Sequence, residues 1–425
     1  MSLLALIASL ALQPDQPTRF DLSERLKRMD VSWMAADVTK KKAAIPFISE
    51  AVAGFFSGKT GQTAESIDKA TAKLEGRYSK SSDALSIRTE FAYYEPGSAI
   101  TLNLTWAYRP PSVLPVRVGS GSKSVELRPG QNGKLLVQPQ DWSPELRLNP
   151  EIGYLLPVRV GDDTRSLYVS FVRNFQPRVE ALGAANNAYS KTIGNVLKRF
   201  IAQPKSQETE LPLIEYLFTA EAIHEDKQKL EDQENIFYAE HGSSSFRAIF
   251  PEELRGKIGQ PVTVVIALHG AGGSENMFFE SYGRGICVTE ALKRNWVFIS
   301  PRTGPSAIND AIDWLANVRK LPIGKLYLMG HSMGGGNVLT STPSLKPTAI
   351  AVFAPASSRA SEAIKSVPTF LAVGRQEMPV LSSAAKTLSN GLSLGSAFRE
   401  FENCEHLMIV AEAAKEAYAF FDQVK

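Results

Sequence analysis

Cysteine is scarce in this sequence, with two residues, Cys287 and Cys404, among 425. Their spacing matches no zinc or redox motif, so a metal-stapled or disulfide-dense scaffold is excluded; a single disulfide and two buried thiols both stay open. Histidine is nearly as rare: His224, His241, His269, His331 and His406 are all there are. An excess of either charge is lacking too. Lys and Arg number 47 against 44 Asp and Glu, a net charge of +3, which gives no footing for nucleic acid or an anionic membrane surface. The densest basic run, Lys40, Lys41 and Lys42, reads as the solvated face of a helix. No apolar run is long enough to cross a bilayer, so no integral membrane span is expected. Gly58-Lys59-Thr60-Gly61 lacks the spacing of a phosphate loop and reads as a turn. With no metal cluster or cofactor motif, no cofactor is expected.

What is present begins with MSLLALIASLALQPDQP, about a dozen apolar residues and then a polar break. That length suits the apolar region of a signal peptide over residues 1–12, with Ser9-Leu10-Ala11 as a small-x-small cleavage site, and export is expected. The stretch carries no Lys or Arg, and a packed N-terminal helix is the competing reading. Residues 18–83 have helical patterning, with Leu22, Leu26 and Met29 at three- to four-residue spacing. Over 84–176 the texture becomes short alternating apolar runs between Pro, Gly and Asn turns, as in a β-sandwich-like module. Its aromatics Phe91, Tyr93, Tyr94, Trp106 and Tyr108 could form a carbohydrate-binding face, although packing explains most such residues. Residues 177–233 return to helix and end in the charged run HEDKQKLEDQEN, a helical linker.

From 234 to 425 strand and helix alternate. Strands are expected at NIFYAEHG, SFRAIFP, VTVVIALHG, WVFISPR, KLYLMGH, TAIAVFAP, TFLAVGR and AFREFEN. The later ones are continuous apolar runs, as parallel strands buried on both faces require. Helices fit NMFFESYGRGICVTEALK, AINDAIDWLANVRK, GGNVLTSTPSL, SSAAKTLSNGL and MIVAEAAKEAYAFFDQV. The fold class is therefore α/β, a doubly wound, mostly parallel sheet with helices on both sides, preceded by the helical segment and the β module.

Gly330-His331-Ser332-Met333-Gly334 is G-x-S-x-G between a strand and a helix. That placement puts a serine on a sharp, exposed turn at the strand's end. The helix N-terminus behind it offers N–H groups to a developing oxyanion. A serine needs a base. His331 lies inside this motif, His269 inside another, and His224 and His241 precede the sheet's core, which leaves His406 in ENCEHLMIV. The acid must lie among Glu362, Glu377, Glu400, Glu402 and Glu405, since no Asp falls between Ser332 and His406. Glu377, in the loop after TFLAVG, is favoured; Glu362 is the alternative, and the glutamates at 400–405 read as solvated. Leu268-His269-Gly270-Ala271-Gly272-Gly273 lets a backbone N–H approach the reacting oxygen, with Ala271 as first and Gly272 as second candidate beside Met333. His269 and His331 read as structural.

LHGAGG, GHSMGG, LAVGRQE and EHLMIV, in that order, resemble the α/β-hydrolase superfamily, near its esterases, dienelactone hydrolases, polyester depolymerases and prolyl oligopeptidase-like members. The resemblance covers about 235–425. It implies Ser332 as nucleophile, His406 as base, Glu377 as acid where the family usually has Asp, and Ala271 and Met333 as oxyanion donors. The activity it implies is cleavage of a carboxylic ester, in a small molecule or a polymer and with a carbohydrate ester or a polyester in view, through an acyl-enzyme. A serine peptidase of the prolyl oligopeptidase-like type and a non-catalytic hydrolase-like binding protein are the alternatives.

Overall fold

The computed structural model describes residues 16–202, 213–227, 236–302, 304–357 and 362–424. The stretch read as a signal peptide, residues 1–12, and the end of the charged run before 236 lie outside them. Among the described residues no helix is long and apolar enough to cross a membrane. The chain divides into two compact units, Met1–Arg25 with Glu50–Lys227 and Leu26–Ser49 with Gln228–Lys425.

In the first unit, strands Leu85–Thr89 (β1), Tyr93–Tyr94 (β2), Ile100–Trp106 (β3), Val116–Ser120 (β4), Lys123–Leu127 (β5), Gly133–Val137 (β6), Ile152–Val160 (β7) and Asp163–Phe171 (β8) form two sheets. Their orders are β1-β3-β6 and β2-β8-β7-β4-β5. Strand β3 alternates buried and half-buried residues along its length, as a strand with one face on a core must. The aromatics considered as a binding face are mostly core. Trp106 is buried with its Nε1–H donated to the Gln131 carbonyl, Tyr108 is buried with its hydroxyl on Asp68, and Tyr93 packs on Phe175. Phe91 stands out in solvent. Arg25, buried, donates Nε to Asp68 at 2.9 Å and NH1 to the Ser86 hydroxyl at 3.0 Å, so a charge inside this core is matched by carboxylate and hydroxyl acceptors.

The second unit is built on one eight-stranded sheet. Its strands are Ile236–His241 (β9), Ser244–Ile249 (β10), Val262–Leu268 (β11), Val297–Pro301 (β12), Ile323–His331 (β13), Ala349–Phe353 (β14), Thr369–Gly374 (β15) and Ala397–Phe401 (β16). The order is β16-β15-β14-β13-β11-β12-β10-β9. Strands β11 to β16 pair in parallel, and β10 runs antiparallel to β12 and β9. All eight strands fall where the apolar runs placed them. Strands β12, β14 and β15 are buried along their whole length, which is why they read as unbroken hydrophobic stretches rather than as alternation. From β11 the chain moves outward to β12 and then returns to β13 on the other side. The carboxyl ends of β11 and β13 therefore flank the point where strand order reverses, the usual place for a ligand crevice in such a sheet.

The helix expected over NMFFESYGRGICVTEALK is interrupted. Met277–Glu280 ends at Ser281, and Tyr282–Leu292 opens on a left-handed run in which Tyr282, Gly283, Arg284 and Gly285 have φ of 48°, 72°, 60° and 71°. The helical spacing of apolar residues continues across it and hides the break. Both cysteines are buried and unpaired, and burial pushes their thiols up.

Residues 26–49 belong to this second unit through specific contacts. Trp33 is fully buried and donates Nε1–H to Glu412 at 2.6 Å, Lys41 reaches the same carboxylate oxygen at 2.6 Å, and Lys27 pairs with Glu280 at 2.9 Å. Asp30 is 1% exposed. Burial pushes its carboxyl up to about 7 from the ordinary 3.8, partly opposed by the backbone N–H of Gly283. The native state then holds a proton that the unfolded chain releases near pH 4. The stability present below that pH is lost as pH rises towards 7, by on the order of 4 kcal/mol. Between pH 5, where the unfolded carboxyl is already ionised, and pH 8, urea unfolding is expected to show about 3 kcal/mol of this fall in wild type and to show the pH dependence reduced by that amount in Asp30→Asn. Equal pH dependence in the two proteins would refute it.

Candidate active site

Three loops that follow the parallel strands β13, β15 and β16 carry Ser332, Glu377 and His406. Strand β13 ends at His331, and Ser332 stands between it and helix Met333–Leu345. Ser332 has φ 53° and ψ −118°, a conformation that a residue with a Cβ adopts at a cost of about 1–3 kcal/mol. Its backbone is anchored at both ends. The N–H donates to Phe353 O at 2.9 Å, and the carbonyl accepts from Gly336 at 3.1 Å and Ala356 at 3.0 Å.

The glycines around it are clearances. A Cβ on Gly334 would lie 2.1 Å from the carbonyl oxygen of Leu268, and one on Gly330 would lie 2.4 Å from the carbonyl oxygen of Gly334. The helix can start this close to strand β11 and fold this sharply off β13 only where those side chains are missing.

Two residues past β15 the loop turns, and Glu377 comes to lie with its side chain fully buried; beyond β16, His406 is buried as well. His406 Nε2 is 3.0 Å from Ser332 Oγ, and His406 Nδ1 is 3.0 Å from Glu377 Oε2. The other oxygen of Glu377 accepts the N–H of Met378 at 2.8 Å, which fixes the carboxylate plane. The sequence-selected serine, histidine and favoured glutamate thus form one hydrogen-bonded chain. Glu362, the alternative acid, opens the short helix Glu362–Lys365. Glu405 departs from the expectation of a solvated side chain. It is 1% exposed and accepts the N–H groups of Leu407 and Met408, closing the turn that leads into helix Ile409–Gln423.

The glycine-rich loop after β11 lies against the serine, because a Cβ on Gly270 would sit 3.3 Å from that of Ser332. The Gly270 carbonyl is held by the N–H of Gly273 at 3.1 Å and faces His269 Nδ1 at 2.8 Å. In a trans peptide the following N–H points the opposite way, so the Ala271 N–H is turned away from these partners. The Met333 N–H is the first of its helix and has no acceptor within that helix. Ala271 and Gly272 therefore lie in the loop set against Ser332, and Met333 opens the helix behind it, which is where the sequence placed the candidate oxyanion donors. His269 Nε2 faces Arg302 O at 3.0 Å, so its ring bridges the loops after β11 and β12.

Sequence reasoning missed two contributors. Gln376 accepts the Cys404 N–H at 2.9 Å and donates its own N–H to Cys404 O at 3.0 Å, lacing the acid loop to the histidine loop. Tyr282 hydrogen-bonds His331 Nδ1 at 2.8 Å. Neither carries a sequence signal, since each pair joins residues far apart in the chain.

Over about 44% of its length the chain is similar to solved α/β-hydrolase structures, esterases and a dienelactone hydrolase among them. Est1E from Butyrivibrio proteoclasticus is 14% identical, with 44% of this chain and 97% of that chain covered and a TM-score of 0.37. The dienelactone hydrolase from Anabaena variabilis is 18% identical over 45% of this chain and 98% of that one, at a TM-score of 0.37. XC6422 from Xanthomonas campestris is 13% identical over 45% and 95%, at 0.36. No protein-family model and no curated protein matches the sequence.

Gly334→Ala forces a carbon into the Leu268 carbonyl. It is expected to destabilise the protein by about 3 kcal/mol and to slow labelling of Ser332 by a fluorophosphonate at least tenfold. Unchanged urea midpoint and labelling rate would show that the helix start tolerates the side chain.

Proposed function

We propose that the chain is a serine hydrolase that cleaves a carboxylic ester, in a small molecule or a polymer, through an acyl-enzyme. The observation that carries this reading is the buried chain Ser332 Oγ, His406, Glu377, with both links at 3.0 Å. Non-catalytic packing has no use for a polar chain aimed at a strained serine, and burying such groups is unfavourable unless each finds a partner.

In the proposed reaction Ser332 Oγ attacks the ester carbonyl while His406 Nε2 takes the hydroxyl proton. Glu377 holds the Nδ1–H, selecting the tautomer with a free lone pair on Nε2, and stabilises the imidazolium that forms. The oxygen of the tetrahedral intermediate gains negative charge between the N–H groups of Ala271 and Met333, where the helix dipole also favours an anion. His406 then returns the proton to the leaving alcohol. Water, activated by the same histidine, releases the acid and restores Ser332. Met333 is partly exposed and Ala271 is exposed, so the acyl group has a route from solvent to the serine.

A panel of p-nitrophenyl acyl esters and aminoacyl anilides, run with wild type, Ser332→Ala and Glu377→Gln, tests the reading. Ester hydrolysis is expected in wild type, to fall by about 10⁵-fold in Ser332→Ala and by about 10³-fold in Glu377→Gln, whose amide cannot stabilise the imidazolium. Turnover of anilides in preference to esters would assign the site to peptide chemistry. Failure of a fluorophosphonate to label Ser332 in folded wild type would remove the enzyme reading altogether.

A further inference from the structure

A second polar chain runs behind the catalytic one. The N–H of Gly270 donates to the hydroxyl of Tyr282 at 3.2 Å, that hydroxyl lies 2.8 Å from His331 Nδ1, and His331 Nε2 lies 2.9 Å from the carbonyl oxygen of His406. Its proton arrangement follows from the partners. A carbonyl oxygen only accepts, so His331 Nε2 carries the hydrogen. Burial, and then the nearby ring of His406, holds the His331 pKa well below its ordinary value, so the ring is neutral and Nδ1 is an acceptor. Tyr282 must then donate to Nδ1, and its oxygen receives the N–H of Gly270. Every donor in the chain has an acceptor, and reversing any link would set two donors face to face.

The chain begins next to Ala271 and ends on the backbone of His406. It is also held under strain. Tyr282 opens the left-handed run 282–285, in which the two residues with a Cβ, Tyr282 and Arg284, each cost about 1–2 kcal/mol. Its ring packs edge-on against Phe278 at 4.8 Å and against His331 at 5.1 Å. A Cβ on Gly270 would come within 2.9 Å of His331 Nδ1, so loop and imidazole are as close as the backbone allows. A core position that served packing alone would be filled by phenylalanine in a relaxed conformation, without a buried hydroxyl to satisfy.

We propose that Tyr282 and His331 are positioning residues for acyl transfer, holding the Gly270–Ala271 segment and the backbone of His406 at a fixed separation on either side of Ser332. The inference rests on the serine hydrolase reading. The pair acts on the reacting geometry and not on substrate affinity, so its removal reads in kcat and leaves KM in place.

Steady-state hydrolysis of a p-nitrophenyl ester by Tyr282→Phe, His331→Gln and His331→Phe tests it. Tyr282→Phe removes one oxygen and is expected to lower kcat about tenfold with KM within twofold. Glutamine at 331 keeps an amide N–H for the His406 carbonyl and an oxygen for Tyr282, so it is expected to retain at least a third of kcat. Phenylalanine keeps neither and is expected to lose about a hundredfold. Equal kcat in wild type and Tyr282→Phe would overturn the proposal, as would equal losses in His331→Gln and His331→Phe. Should these variants fail to fold, long-range ¹H–¹⁵N spectra of the wild-type imidazoles decide: a neutral Nε2–H ring at His331 from pH 5.5 to 8 supports the chain, and an Nδ1–H or titrating ring refutes it. Wild type that neither hydrolyses esters nor reacts with a fluorophosphonate would count against the hydrolase reading instead, while the imidazole spectra would still report on the Tyr282–His331 pair.

Discussion

The backbone at Ser332 is bent into a region that residues other than glycine avoid, and much of the second unit can be understood as what keeps it there. The bend needs an acceptor for the Ser332 N–H, found at the end of β14, and donors for its carbonyl, found one turn into the helix and beyond β14. It also needs room, which Gly330 and Gly334 leave towards the helix and towards Leu268. A sheet of parallel strands buried on both faces supplies the rigidity, because none of these neighbours can move without disturbing a close-packed core. Strain of this size persists only where the surroundings over-determine it. Here hydrogen bonds and close approaches from three strands do so.

In the proposed mechanism His406 would be a poor base if its ring could swing, so the loop that bears it is the second requirement. That loop is held through backbone groups as well as through the ring. Gln376 takes the Cys404 N–H, His331 lies on the His406 carbonyl, and Glu405 folds back on the N–H groups of Leu407 and Met408. In the proposed mechanism the ring exchanges a proton at Nε2 while Nδ1 stays with Glu377. For the proposed reaction, a frame fixed before a substrate arrives is the arrangement that avoids reorganisation.

Much of this was legible in the sequence, and the reasons differ by level. The eight strands of the second unit show because burial on both faces demands continuous apolar runs such as TAIAVFAP and TFLAVG. Ser332 shows because its turn demands glycines at fixed offsets, and His406 because so few histidines compete. The break at Tyr282 does not show, since apolar residues keep helical spacing straight through GRG and only the dihedral angles reveal the reversal. Glu405 is invisible for a related reason: a charged residue in a loop is solvated by default, and what buries it is tertiary. The aromatics of the β module mislead in the opposite direction. Alternation exposes half of any strand to suspicion, and the partners that bury Trp106 and Tyr108, Gln131 and Asp68, lie 25 and 40 residues away in the sequence.

That a glutamate stands where the proposed mechanism needs its acid follows from how that loop is tied. Gly374 ends β15 with its Cα so near the histidine loop that a Cβ would lie 2.3 Å from the Cys404 carbonyl, and Gln376 then spends both its backbone N–H and its side chain on Cys404. The chain leaves the strand already pinned to the loop it must serve. Glu377 sits beyond that pin, with its own N–H turned back to Gly374 O at 3.2 Å. From there a side chain with two methylene groups reaches Nδ1 of His406 while its second oxygen folds back onto Met378 N–H. A carboxylate on a shorter stem would have to give up one of these contacts, the backbone tie that fixes its plane or the imidazole it orients. The length of the side chain and the double lacing through Gln376 are thus one solution: the loop is fixed close to Cys404, and the carboxylate spans what distance is left.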